Sequence, residues 1–132
     1  MKAFKAWFWA ATIYNALWGA AVSIDPGLPS RVFDIPVPRD PALMQCIGMM
    51  VGVYALGYYY LARDPVRYAN LIWVGLLGKT LGPIGFLVSW QQGILPARFF
   101  FVVLFNDLIW WPAFWAFALK HARDPLARKV GD

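Results

Sequence analysis

Four stretches of this chain, residues 4–24, 42–62, 69–89 and 97–119, are apolar almost throughout. Each is long enough to cross a hydrocarbon core of about 30 Å at roughly 1.5 Å per helical residue. Lipid offers no water to a free N–H or C=O, so a spanning segment must satisfy its own backbone, and the α-helix does so. The sequence therefore predicts an all-α membrane protein, four transmembrane helices in an antiparallel up-down bundle, with 1–132 as a single four-span domain. Composition agrees: 61% of residues are hydrophobic and 14% charged, against about 45–50% and about 25% in soluble domains. Eight Trp point the same way, because Trp favours the membrane–water boundary.

The connections carry the punctuation. Asp25-Pro26, Asp40-Pro41, Asp64-Pro65 and Asp124-Pro125 flank the apolar stretches. Asp accepts from the free N–H groups of a starting helix, and Pro suits its first position. Asp40-Pro41 thus reads as the start of the second span, and Asp64-Pro65 as an interfacial turn after it. The connection from Asp25 to Pro41 holds Pro26, Pro29, Pro36, Pro38 and Pro41 and reads as a stiff extended loop rather than a helix. Ala62-Arg63-Asp64-Pro65 recurs as Ala122-Arg123-Asp124-Pro125, which fits either a duplicated hairpin or two independent uses of one cap.

Counting basic residues in the loops orients the chain. One side carries Lys2, Lys5, Arg63, Arg67, Lys120, Arg123, Arg128 and Lys129, and the other only Arg31, Arg39 and Arg98. Both termini are expected in the cytoplasm, with the protein in the cell inner membrane. The stretch after Lys2 and Lys5 is too long for a signal peptide and lacks a small-residue cleavage site, so it reads as a retained first span. The net charge of +5 sits in clusters at segment ends. Such clusters suit anionic membrane lipid and form no nucleic-acid module.

Several chemistries are excluded. Cys46 is the only cysteine, His121 the only histidine, and glutamate is absent, so no disulfide, Cys-based metal site or intramembrane haem or zinc site is expected. Gly78-Lys79-Thr80 resembles the tail of a phosphate loop, but Trp73 replaces the leading Gly and Gly82-Pro83 follows. No cofactor is implied.

What remains are polar residues inside the spans. Lys79 and Asp107 lie near the middle of the third and fourth stretches, where each charge costs roughly 2.5–3.5 kcal/mol on insertion scales. A hairpin turning near Gly93 brings Lys79 level with residues 107–108. Desolvation favours the neutral form of each and close pairing the charged forms, and the sequence leaves that balance open. Gly75, Gly78, Gly82 and Gly85 share one broad face of the third stretch, and Pro83 interrupts its ladder. That pattern fits a site with close backbone approach, and equally a kinked packing face.

The candidate site follows: Lys79 and Asp107 as a catalytic, proton-handling pair, with Asn15, Tyr54, Thr80, Asn106 and Trp110 as ligand-binding residues. Polar groups among aromatic walls describe a pocket for a lipophilic molecule with one polar end. The remaining tyrosines of Tyr58-Tyr59-Tyr60 read as boundary anchors, and Cys46 as a small buried group. Two other readings are open. One is an oligomeric transporter. The other is an accessory subunit of a larger membrane complex, in which Lys79–Asp107 is a structural tie. In size and layout the chain resembles the small bacterial four-span proteins of the DoxX-like group. The resemblance implies architecture only and carries over no functional residue.

Overall fold

Asp40 Oδ1 accepts from the backbone N–H groups of Ala42 and Leu43, at 3.1 and 3.3 Å, and Pro41 fills the first helical position, where a missing N–H costs nothing. The helix so started runs Pro41–Arg63 (α3). It is preceded by α1, Lys2–Ile24, and a short α2, Leu28–Phe33, and followed by α4, Leu71–Gln91. The last helical segment, Ala97–His121, is composite. A 3₁₀ turn at Ala97–Phe99 leads into α5, Phe100–Val103, then a π-turn at Leu104–Leu108, then α6, Trp111–His121. The computed structural model describes residues 1–122, and every regular element among them is helical.

Three of these helices, α3, α4 and the composite Ala97–His121, are long and apolar enough to cross a membrane. α1 has the length, at 23 residues, but Lys5, Thr12, Tyr14 and Asn15 make it less apolar than the others. Arg123, Arg128, Lys129 and the second Asp-Pro motif at Asp124-Pro125 lie outside the described residues.

The proline-rich connection departs from the extended loop expected of it, because α2 forms within it. Pro29 falls in the first turn of α2, where proline is compatible with a helix. Asp34 then ends it in the left-handed conformation at φ 51°, which Asp tolerates better than most residues. Ser30 Oγ donates to Pro36 O at 3.0 Å and folds the rest of the connection back. Arg98 pairs with the Asp34 carboxylate, an exposed tie that contributes little. Asp64 closes α3 and its Oδ1 accepts from Arg67 N–H at 3.0 Å, forming the expected turn. Gly93, at φ 72°, makes the reversal between α4 and the last segment.

α1 packs along α3, α3 meets α4, and α4 meets the last segment, which returns to α1. The α1–α3 seam is the closest, since Gly19 lies directly against the backbone of Gly48 and Gly52. At the end carrying the start of α1, the interior is solid: Phe8, Leu61, Ile72, Phe114 and Phe117 are fully buried and interlock. Phe8 meets Phe117 edge-on at 4.8 Å between ring centroids, and Trp73 Nε1 donates to Ala122 O at 2.9 Å. Toward the other end no comparable plug exists among the described residues, and the interior opens. Cys46, expected to be buried, is exposed: it sits near the Pro41 end of α3, away from the α1–α3 seam.

Candidate functional site

Pro112 has no N–H and cannot complete the α-helical ladder one turn back at Leu108. The chain widens just before it. Ile109 N–H donates to Leu104 O at 3.1 Å, five residues back, which defines the π-turn. A π-turn frees backbone carbonyls, and in lipid each needs a donor. Phe105 O takes the indole N–H of Trp110 at 2.9 Å. Asp107 O takes Trp110 N–H at 3.3 Å. Asn106 O takes Lys79 Nζ, reaching across from α4. The buried lysine is thus spent first on a broken helix, a role not legible from residue types and spacing alone.

Asp107 comes with the same turn. Its Oδ1 lies 3.8 Å from Lys79 Nζ, close enough for charge attraction and too long for a hydrogen bond. Among the described residues its carboxylate accepts no hydrogen bond. Lys79 also stands 5.8 Å from the centre of the Tyr58 ring, a favourable cation–π distance. Asn106 Oδ1 accepts from Tyr14 OH at 2.5 Å, which directs the Asn106 Nδ2 hydrogens elsewhere.

The glycines of α4 make room for these groups. A methyl group at Gly82 would strike the Asp107 carboxylate. At Gly78 it would come within 3.1 Å of the Tyr54 ring, and at Gly75 within 2.9 Å of the Tyr58 ring. Gly85, the fourth of the set, faces nothing within 4 Å. Three of the four therefore admit side chains from α3 and the last segment, where close approach of backbones was expected.

Lys79, Asn106, Asp107, Tyr54 and Asn15 line one cavity of about 390 Å³. Asn15 contributes least, because its Nδ2 is already bonded to Ala11 O at 2.8 Å. Thr80 and Trp110 do not line it. Thr80 Oγ1 accepts from Trp111 Nε1 at 3.1 Å on the outer surface. Trp110 stands behind Tyr14, 5.4 Å between rings, and braces it. Tyr14 and Tyr58 are site residues that sequence reasoning missed. Tyr58 follows Tyr54 by four residues and so shares its helical face, a spacing that separates it from the boundary residues Tyr59 and Tyr60.

A second cavity of about 360 Å³ adjoins the first, and Ile47, Val51, Gly82, Asn106 and Asp107 line both. Its other walls are apolar, including Trp18, Met44, Phe99 and Val103, and α2 with the Ile35–Pro38 stretch covers it. Asn106 and Asp107 thus sit where two chambers meet, with Lys79, Tyr54 and Tyr58 in the wall of the first. Together they offer N–H donors from Lys79 and Asn106, phenol groups from Tyr54 and Tyr58, and one carboxylate acceptor. That set can hold a group that both donates and accepts. Replacing Tyr14 with Phe should leave Asn106 Oδ1 without its donor and lower stability by about 1–3 kcal/mol. Thermal unfolding in detergent measures this, and an unchanged midpoint would mean the bond does not hold Asn106.

No family model, no curated protein and no solved structure matches this chain.

Proposed function

We propose that this is a four-span protein of the cell inner membrane, with antiparallel helices and cytoplasmic termini, whose mid-membrane polar site binds a small lipophilic molecule. The observation that carries this reading is the Asp107 carboxylate. It stands in a cavity wall with its side chain 17% exposed and accepts no hydrogen bond among the described residues. A carboxylate largely withdrawn from water gains from a hydrogen-bond donor, and a ligand donor would supply one here. In this reading Lys79 and Asp107 are the pair able to give and take a proton. Asn106, Tyr54 and, to a lesser degree, Asn15 orient the polar end, while Tyr14 and Trp110 hold Asn106 and its turn in place.

One observation favours a second reading. Lys79 donates to the Asn106 carbonyl rather than directly to Asp107, as a purely structural tie would. In that case the protein is an accessory or oligomeric subunit of a membrane complex or transporter. Native mass spectrometry of the detergent-purified protein separates the two. A lipophilic small molecule should remain bound to the native chain and be missing from the folded Lys79→Leu/Asp107→Leu double variant. A bare native chain that copurifies with a stoichiometric foreign subunit would overturn the ligand reading. Solute flux in proteoliposomes, abolished in the double variant, would favour transport instead.

A further inference from the structure

The two chambers differ in chemistry although they share a wall. Asn106 and Asp107 stand at their junction, with Lys79 beside them in the first, and the outer chamber beyond is walled mostly by hydrocarbon and aromatic rings. Its one hydroxyl, that of Ser30, is already bonded to Pro36 O. In the opposite direction the aromatic end is solid, apart from a smaller apolar cavity of about 190 Å³ beside Tyr54, Gly57 and Tyr58. The α1–α3 seam is closed by backbone packing at Gly19. Three ways lead from the polar groups: the outer chamber of about 360 Å³, that smaller cavity with about half its volume, and the side opening beside Met50, which is 62% exposed. A tail leaving by the side opening would exchange one lipid environment for another with no gain in burial. Inside the outer chamber it would fill a cavity whose lining otherwise lacks partner atoms on one side.

We infer that the site takes a single-tailed lipid with a hydroxyl head, the head bonded at Lys79, Asn106 and Asp107 and the tail lying in the chamber beneath α2. This rests on the reading of those three residues as a ligand site. The head class follows from the groups at the junction. A hydroxyl donates to the Asp107 carboxylate while accepting from Asn106 Nδ2 or a tyrosine hydroxyl. A fatty-acid carboxylate would face Asp107 as a like charge, and an alkylammonium would face Lys79.

Photo-crosslinking tests it, using the full chain in nanodiscs and decanol carrying a terminal diazirine, with adducts mapped by peptide mass spectrometry. The expected result is labelling of Met44, Ile35 or Val103, lost on adding excess plain decanol and retained when decanoate is added instead. Met44→Trp, which fills the chamber, should abolish that labelling. Ile35→Trp, in the connection rather than a spanning helix, serves if Met44→Trp does not fold. Competable labelling at Met50 and not at the outer residues would overturn the tail placement and leave the polar site standing. No competable labelling anywhere would overturn both. Undiminished outer labelling in a folded Lys79→Leu/Asp107→Leu variant would overturn the anchoring of the head.

Discussion

Lys79→Ala should destabilise the protein by about 3–5 kcal/mol, the range for removing one partner of a buried charge pair. Two groups lose their only cationic neighbour at once. The Asn106 carbonyl, released by the π-turn, loses its donor, and the Asp107 carboxylate is left in the cavity wall without a counter-charge. Lys79 is buried, with 7% of its side chain exposed, whereas Asp107 retains 17%. Residual exposure of the carboxylate keeps the loss toward the lower end of that range. Unfolding in detergent, by heat or by a graded denaturant, measures it. Wild-type stability in Lys79→Ala would show that neither group depends on the lysine.

The double variant separates the two halves of this effect. Lys79→Leu with Asp107→Leu removes both charges and should recover most of the stability, leaving only the Asn106 carbonyl unpaired, a loss of about 1–3 kcal/mol. A double variant whose loss equals the sum of the two single losses would mean that the two residues act apart, and the pairing idea would fall. Recovered stability with full cellular function would leave a structural tie alone.

The helical class and the residues at the centre of the site were readable from sequence because lipid makes them costly. Apolar runs of spanning length have one backbone solution, and a lysine and an aspartate at equal depth demand company. The hairpin at Gly93 then dictated that they meet. The π-turn was not readable, since Pro112 announces a break without saying how the chain accommodates it, and the carbonyls set free lie five to seven residues before it. Pro83 drew attention as the kink, yet α4 runs through it as a continuous helix. Thr80 follows Lys79 directly and so points about 100° away around the helix, which is why it reaches Trp111 and not the cavity. α2 was hidden for another reason: five prolines suggest an extended chain, but only Pro29 falls within that helix, at a position a helix accepts.

Gly19→Leu should undo the docking of α1 on α3, at a cost of about 3 kcal/mol, the upper end for overpacking. In the four-span arrangement proposed above, lipid is as apolar as the side chains, so association rests on close packing rather than on burial from water. A Cβ at Gly19 would lie 2.6 Å from Gly48 O and Gly52 N and 2.9 Å from Gly52 Cα. All three are backbone atoms, so no side chain can swing aside and the helices must separate. From the other side, a Cβ at Gly48 would lie 2.8 Å from Ser23 N and 2.9 Å from Gly19 O. One polar tie crosses the seam, Gln45 Nε2 donating to Ser23 O at 3.0 Å, while Ser23 Oγ is bonded within α1 to Gly19 O at 2.7 Å. The control is internal. Gly57 has open space where its Cβ would stand, so Gly57→Ala should be neutral or stabilise α3 by about 0.5–1 kcal/mol. Unfolding midpoints compare the two directly. Equal midpoints for Gly19→Leu and Gly57→Ala would mean that α1 does not rest on α3 in the membrane. The wall that Trp18 and Val22 give the outer chamber would then be lost as well.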